Sequence, residues 1–176
     1  MKYIFGYGSL INRSTLKELN NIKMKNLIPV TILNLQRNLI ETSTRINKLN
    51  YQYFGIHDKI GSTTNGVLIQ VEDDELERLD LREKIYLRKI IDKSRIIFNY
   101  GHPIFFNKDD IVFAYYTNYN DTNININIKV AKYNKSEQTK KYILSCLKGS
   151  MEINKRFLID FIKTTPDTYQ AILDLI

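Results

Sequence analysis

Two glycines flank a tyrosine near the start of the chain, in the segment Phe5-Gly6-Tyr7-Gly8-Ser9-Leu10. An apolar stretch precedes this segment and a helix-like pattern follows it, which predicts a turn between a strand and a helix. Such a turn can leave several backbone N–H groups unpaired and pointing in one direction, and glycine lets a ligand approach them closely. Groups of this kind bind a carboxylate, a phosphate or the oxyanion of a reacting carbonyl. The local pattern alone favours a tight turn without a ligand over a binding site.

The spacing of the glycines excludes three common motifs. A P-loop requires Gly-x-x-x-x-Gly-Lys-Ser/Thr, and no such residues follow Gly6 or Gly8. The dinucleotide-binding pattern lacks its third glycine, because Ile11 occupies that position. A nucleophile elbow requires Gly-x-Ser-x-Gly, whereas Ser9 is followed by Leu10 and Ile11.

A second candidate lies between Leu79 and Arg88, where a charged helix end is predicted to meet a strand. Side chains at such a junction project into clefts. Glu83 would be a usable general base if apolar neighbours raised its pKa toward neutrality. Its sequence neighbours Arg82 and Lys84 are charged, so the segment taken alone favours a solvated surface glutamate.

Other nucleophiles and metal ligands are few. Ser9 could pair with His57 or His102, but nothing in the sequence brings them close together. The single cysteine, Cys146, cannot form an internal disulfide, which fits a reducing, cytoplasmic compartment. Two histidines and one cysteine without a cluster predict no metal site.

Together, the two stretches resemble the γ-glutamylcyclotransferase-like family, in its bacterial-type branch. In that family a YGSL or YGSN motif follows the first strand, and a leucine–aspartate pair leads to an essential glutamate. This chain has YGSL at residues 7–10 and Leu79-Asp80-Leu81-Arg82-Glu83, followed by Tyr86 and Arg88. The resemblance covers most of the chain and is weakest between Asn118 and Asn134. Four further segments also look like family elements: Leu33 to Arg37, Asn65 to Leu68, Tyr142 to Gly149 and Phe157 to Thr165.

The resemblance implies an α+β fold, a small mixed β-barrel or sheet with flanking helices, in a single domain over residues 1–176. It also implies an internal acyl transfer, in which the α-amine of a γ-glutamyl group attacks its own γ-carbonyl. The products are 5-oxoproline and a free amine or amino acid, and no cofactor is required. The implied partner is a small-molecule γ-glutamyl substrate, such as glutathione, a γ-glutamyl dipeptide or a γ-glutamylamine.

Carried over by position, Glu83 is the catalytic residue and acts as general base and then general acid. Tyr115 resembles a family strand tyrosine that faces the pocket. A core aromatic is an equally good interpretation of Tyr115, and Tyr116 is the alternative inward residue. The residues predicted to hold the glutamyl end or its oxyanion through backbone amides are Tyr7, Gly8, Ser9 and Leu10.

One departure from the family concerns the choice of substrate. Many relatives have a glycine directly after the glutamate, where this chain has Lys84. A longer side chain there would narrow the pocket or add a positive charge, which affects the substrate more than the reaction type. The rival hypothesis is a non-catalytic binding module of the same fold, with a basic surface for an acidic partner. Retention of Glu83 argues against that rival.

The composition is that of an ordinary globular protein. The chain has 176 residues, of which 43% are hydrophobic and 26% charged, so it can bury a sizeable core. No apolar run reaches the roughly 18 residues of a membrane span, and no secretory signal pattern is present, so we predict no membrane association. The net charge of +7 comes from scattered lysines, which favours a solvated surface over a nucleic-acid groove.

Hydrophobic patterning predicts strands first and helices last. The predicted strands are Lys2 to Phe5, Leu27 to Arg37, Tyr51 to His57, Val67 to Val71, Tyr86 to Ile91, Arg95 to Tyr100 and Ile111 to Thr117. A capping box of Thr15 and Glu18 predicts a first helix that carries Leu16 and Leu19 inward. The later helices are predicted at Glu72 to Leu81, Thr139 to Lys148, Asn154 to Lys163 and Tyr169 to Leu175.

Three local signals concern the connections. Asn65-Gly66 predicts a turn, and Gly149 predicts a helix end. The polar stretch Glu41 to Asn50 predicts a loop. The segment Asn118 to Lys129 alternates asparagine with isoleucine, which leaves strand and loop as open alternatives.

Overall fold

The computed structural model describes residues 1–18, 26–44, 51–101, 103–118, 126–166 and 172–173. The described strands are β1 (Lys2–Gly6), β2 (Ile28–Thr44), β3 (Tyr51–Val71), β4 (Tyr86–Ile90), β5 (Ile96–Ile97), β6 (Ile111–Thr117) and β7 (Ile126–Val130). The described helices are α1 (Arg13–Glu18), α2 (Asp73–Arg82), α3 (Glu137–Ile153) and α4 (Lys155–Lys163). Short 3-10 turns lie at Ser9–Ile11 and Lys93–Arg95.

The seven described strands form one mixed sheet. Its order is β4-β6-β1-β3-β2-β5, and β7 also pairs with β2. The pair of β1 and β6 is parallel, and the other pairs are antiparallel. Strand β1 therefore lies inside the sheet with neighbours on both sides, which explains its almost continuous apolar sequence. A mixed sheet with flanking helices confirms the predicted α+β fold.

The prediction of a turn at Asn65-Gly66 is wrong, because both residues lie inside the long strand β3. Thr31 faces Asn65 and Val30 faces Gly66 in the ladder with β2. The Asn65 side chain accepts a hydrogen bond from Arg37 at 2.7 Å and donates one to the carbonyl of Phe157 at 2.9 Å. Asn65, which the local sequence assigned to a turn, thus forms hydrogen bonds to residues far away in the chain.

Arg37 joins helix α4 to the sheet from a fully buried position. Its Nη2 donates to Asn65 and Thr164, and its guanidinium carbon lies 3.8 Å from the ring centroid of Phe161. No carboxylate among the described residues pairs with it. Burial lowers the pKa of Arg37 to about 9. The residue also lies beside Phe54, which lines the cavity described below.

Helix α3 continues through Gly149, so the predicted helix end at that glycine is wrong. A Cβ at Gly149 would lie 2.7 Å from the Cα of Asn12 and 2.9 Å from the carbonyl carbon of Ile11. The glycine lets α3 pack directly on the backbone that follows the Ser9–Ile11 turn.

Helix α1 begins two residues before the predicted capping box. The Asn12 side chain accepts a hydrogen bond from the N–H of Ser14 at 2.8 Å, so Asn12 rather than Thr15 caps the N-terminus of this helix. Leu16 is buried as predicted, whereas Leu19 lies outside the described residues.

Several other boundaries differ from the predictions. The strands predicted at Tyr51 to His57 and Val67 to Val71 are parts of the single strand β3, β2 runs past Arg37 to Thr44, and α3 extends the predicted helix Thr139 to Lys148 to Glu137–Ile153. The strand predicted at Arg95 to Tyr100 shrinks to Ile96–Ile97. Residues 41–44 of the loop predicted at Glu41 to Asn50 belong to β2, where they pair with β7.

Within the Asn/Ile-rich segment, residues 126–130 form a strand, and residues 119–125 lie outside the described ranges. Residues 45–50 of the predicted loop also lie outside the described ranges. So does the predicted tail helix, Tyr169 to Leu175, except residues 172–173.

Candidate active site

A cavity of about 300 Å³ brings the two sequence motifs together. It lies where β1 ends in the glycine turn and where α2 leads into β4. Every predicted site residue lines it: Tyr7, Gly8, Ser9, Leu10, Glu83 and Tyr115. Lys84, the departure from the family pattern, lines it as well. Further lining residues that the sequence did not assign to the site are Phe5, Tyr53, Phe54, Arg82, Ile85, Tyr86 and Tyr142.

The glycine turn is a single 3-10 turn. Its first two N–H groups, those of Ser9 and Leu10, donate no hydrogen bond to any described residue. The N–H of Ile11 donates to the Gly8 carbonyl and that of Asn12 to the Ser9 carbonyl, each at 3.0 Å. The N–H groups of Ser9 and Leu10 precede these bonds, and both residues line the cavity. Their amides are therefore the candidate backbone donors of the turn.

Gly8 is required by a close approach between the turn and helix α3. A Cβ at this position would lie 2.6 Å from the hydroxyl oxygen of Tyr142. That hydroxyl is fixed, because it accepts a hydrogen bond from the N–H of Phe54 at 3.1 Å. A side chain at residue 8 would thus displace either the turn or the tyrosine.

Glu83 occupies the junction at the end of α2. A capping box of Glu72 and Glu75 begins this helix, and the N–H of Glu83 donates to the Leu79 carbonyl at 2.8 Å at its end. The N–H of Tyr86 then donates to the Glu83 carbonyl at 2.8 Å. Two backbone bonds therefore hold the residue while its side chain lines the cavity.

The Glu83 carboxyl is largely removed from water, with 16% of its side chain exposed. Burial raises its pKa above the ordinary value of glutamate, and the Arg82 guanidinium opposes this increase. Its Oε1 accepts from Arg82 Nη1 at 2.7 Å. Glu83 therefore has the partly desolvated environment expected of a general base.

Arg82 links the two halves of the site, and the sequence did not predict this role. Its Nη1 binds Glu83, and its Nη2 donates to the Ser9 hydroxyl at 3.1 Å. The sequence placed Arg82 beside Glu83 but gave no sign of the contact with Ser9, which is 73 positions away.

Five tyrosines line the cavity, and three of them place buried, uncharged hydroxyls near Glu83. Burial is the main cause that raises the pKa of Tyr7, Tyr86 and Tyr142, and the nearby Glu83 carboxylate raises each further. Tyr7 donates to the Tyr115 carbonyl at 2.5 Å, and Tyr86 donates to the Phe54 carbonyl at 3.2 Å. All three hydroxyls are therefore neutral, and backbone bonds orient them: Tyr7 and Tyr86 donate to carbonyls, and Tyr142 accepts from the N–H of Phe54.

Tyr115 rather than Tyr116 lines the cavity. Its hydroxyl donates to Asp80 at 2.8 Å, and Asp80 in turn forms an ion pair with Arg88. The Tyr116 hydroxyl instead donates to Asp58 at 3.3 Å, because successive residues of β6 point to opposite faces. Both tyrosines are buried, so Tyr115 is at once a core residue and a cavity residue.

The alternative nucleophiles are not assembled here. His57 hydrogen-bonds with Asn38 and does not line the cavity, and His102 lies outside the described residues. Cys146 is buried, and burial raises the pKa of its thiol to about 12, so it is not a reactive thiolate. The described residues contain no His, Cys, Asp and Glu cluster able to hold a metal ion.

Solved structures of quite different sequence share this fold. A structure named gamma-glutamyl cyclotransferase matches with a TM-score of 0.64 and 16% sequence identity, over 95% of this chain and 89% of that one. An uncharacterized protein from Homo sapiens gives the same values. YkqA from Bacillus subtilis matches with a TM-score of 0.61 and 14% identity, over 92% of this chain and 52% of its own.

No protein-family model matches the sequence, and no curated protein matches it significantly. At identities this low the structural likeness shows the fold alone. The chain therefore has the γ-glutamyl cyclotransferase-like fold that its motifs predicted. Among the described residues, no helix is both long and apolar enough to cross a membrane.

Proposed function

We propose that this protein is a γ-glutamylcyclotransferase-type enzyme, which converts a γ-glutamyl peptide or amine into 5-oxoproline and a free amino acid or amine. The observation that carries the proposal is the meeting of Glu83 and the glycine turn in one cavity, joined through Arg82. A general base and a set of fixed backbone donors are the two parts that an internal acyl transfer needs.

The reaction requires one proton acceptor and no nucleophilic side chain. Ionised Glu83 takes a proton from the α-ammonium of the substrate, and the freed amine attacks the γ-carbonyl carbon of the same molecule. The bond from that carbon to the leaving nitrogen then breaks, and Glu83 returns its proton to this nitrogen. The second proton of the attacking nitrogen passes through the regenerated Glu83 carboxylate to the departing amine, which leaves as an ammonium, so that 5-oxoproline keeps a single lactam N–H. Because both reacting groups belong to one substrate, holding it in a ring geometry supplies much of the acceleration.

The other residues of the cavity have supporting roles in this proposal. The amides of the turn bind the glutamyl carboxylate or the oxyanion that forms on the γ-carbonyl. The neutral tyrosines line the space around the substrate, and Tyr115 contributes its aromatic ring from β6. We also propose the cytoplasm as the compartment, in keeping with the single free cysteine.

A panel of substrates tests the proposed reaction. Glutathione, γ-glutamyl dipeptides and γ-glutamylamines are incubated with the purified chain, and 5-oxoproline and the released amine are quantified. We expect both products in equal amounts from at least one member. A folded protein that releases neither from any member would favour the rival binding module, which salt-sensitive binding to an acidic partner would then support.

Replacing Ser9 with alanine is expected to lower kcat/KM by less than about tenfold. The serine hydroxyl accepts one hydrogen bond from Arg82, which the variant loses, whereas the backbone amide remains in place. Steady-state kinetics of 5-oxoproline release measure this effect. Complete loss of activity in the folded variant would point to a serine nucleophile and contradict the proposed roles.

The pH dependence of kcat/KM is expected to show an acidic limb that rises as Glu83 ionises. Burial raises the pKa of Glu83, so this limb lies above the range of an exposed glutamate. The Arg82 guanidinium holds the pKa down, so Arg82→Gln is expected to move the limb to higher pH. Arg78→Gln, at an exposed position on the same helix, is the control and leaves the limb in place. A limb that stays fixed in Arg82→Gln would assign it to another group.

A further inference from the structure

We infer that the cavity selects γ-glutamyl substrates whose leaving group carries a carboxylate, such as γ-glutamyl amino acids, over γ-glutamylamines. This inference rests on the proposed function. It comes from Lys84, which places a positive charge at the cavity that no described side chain matches.

The charged side chains that line the cavity do not cancel. Among the described residues they are Arg82, Glu83 and Lys84. Arg82 is paired with Glu83, with Nη1 and Oε1 2.7 Å apart. Lys84 forms no ion pair with any described residue. When ionised, these three described side chains therefore carry one excess positive charge in total.

The acid that contacts a cavity residue is already engaged. Asp80, which contacts the cavity residue Tyr115, forms an ion pair with Arg88. That pair is neutral as a whole and leaves the excess charge of Lys84 in place.

The charge of the substrate depends on its leaving group. The glutamyl end carries one ammonium and one carboxylate near neutral pH, and these cancel. A γ-glutamyl amino acid adds a second carboxylate and has a net charge of −1, which complements the site. A γ-glutamylamine with a neutral leaving group lacks this charge, and one with a cationic leaving group is repelled.

The position of Lys84 fits the leaving group rather than the glutamyl end. Lys84 is exposed, whereas the adjacent Glu83 side chain is largely buried. The lysine therefore lies at the mouth of the cavity, where the part of the substrate beyond the scissile bond meets water. Because the mouth is wet, the expected preference is moderate and decreases as salt increases.

The test compares γ-glutamyl-alanine with γ-glutamyl-alaninamide, in which a neutral amide replaces the carboxylate of the leaving group. We expect the wild type to have the higher kcat/KM on γ-glutamyl-alanine. Lys84→Met keeps the length of the side chain and removes its charge, so the ratio of the two kcat/KM values is expected to fall about twofold to fivefold, as for an exposed charge pair. Lys84→Arg should retain the ratio, and Lys84→Glu should reverse the preference. Lys59→Gln, at an exposed position on β3 outside the cavity, should leave the ratio unchanged.

The outcomes separate the two proposals. Turnover of both substrates with a ratio that is the same in wild type, Lys84→Met and Lys84→Glu would overturn the inference and leave the proposed function standing. A wild-type ratio that favours the amide would also overturn it. Absence of 5-oxoproline from both substrates would overturn the proposed function and the inference together.

Discussion

Replacing Glu83 with glutamine is expected to lower kcat for 5-oxoproline release by about 10²- to 10⁴-fold, the usual contribution of a positioned proton-transfer group. Glutamine has nearly the same shape and keeps a hydrogen-bonding oxygen toward Arg82, but it cannot accept a proton from the α-ammonium. The measurement is steady-state release of 5-oxoproline from a substrate that the wild type turns over. Glu77→Gln, at an exposed position on the same helix, is the matched control and should behave as wild type.

Loss of activity in Glu83→Gln is not expected to come from unfolding. Burial raises the pKa of the Glu83 carboxyl, so the folded state binds more protons than the unfolded state between the two pKa values. The contribution of Glu83 to folding stability therefore falls as pH increases through that window. Above the window glutamine removes this cost, and the partly exposed ion pair with Arg82 offsets little.

Thermal unfolding at two pH values provides the check on stability. At pH 7 we expect Glu83→Gln to unfold at a temperature no lower than the wild type, and in acid the two should converge. Wild-type turnover by the glutamine variant would contradict the assignment of Glu83 as the base.

Replacing Gly8 with alanine is expected to reduce kcat/KM about 10²-fold, a loss typical of a displacement near 1 Å at a catalytic group. The added Cβ would lie 2.6 Å from the Tyr142 hydroxyl, which the N–H of Phe54 holds in place. The turn must then move, and the amides of Ser9 and Leu10 move with it. Gly101→Ala is the control, because a Cβ there meets nothing within 4 Å.

A double variant identifies the cause of this loss. Tyr142→Phe removes the oxygen that the Cβ would strike, and the next nearest atoms, Cβ of Phe54 and the ring carbon of residue 142, lie at 3.8 Å. We therefore expect Gly8→Ala with Tyr142→Phe to recover part of the activity lost in Gly8→Ala, measured against Tyr142→Phe alone. If the loss of kcat/KM in the double variant equals the product of the losses in the two single variants, the contact with Tyr142 is not the cause.

The parts of the fold that the sequence predicted best are those that local interactions determine. Helix α2 has a capping box at its start and buried leucines three residues apart, and it was predicted within one residue at each end. Strand β6 was predicted with its exact bounds, since its apolar run is bounded by polar residues. Tertiary contacts override such signals elsewhere. Asn65-Gly66 lies in a strand, where the Asn65 side chain hydrogen-bonds to Arg37 and to the Phe157 carbonyl of α4. Gly149 lies in a helix, where its missing side chain lets α3 pack closely on Asn12.

The candidate site divides in the same way. The sequence by itself determined the residue types: a glycine turn with small neighbours after the first strand, and a glutamate at the junction of a helix and a strand. Only the tertiary structure decided that both line one cavity, that Arg82 joins Glu83 to Ser9, and that Tyr115 rather than Tyr116 faces the same space. The physical reason is that caps and periodicity act between residues close in the chain. The burial that raises the pKa of Glu83 and the approach of Tyr142 to Gly8 instead arise from groups that only folding brings together.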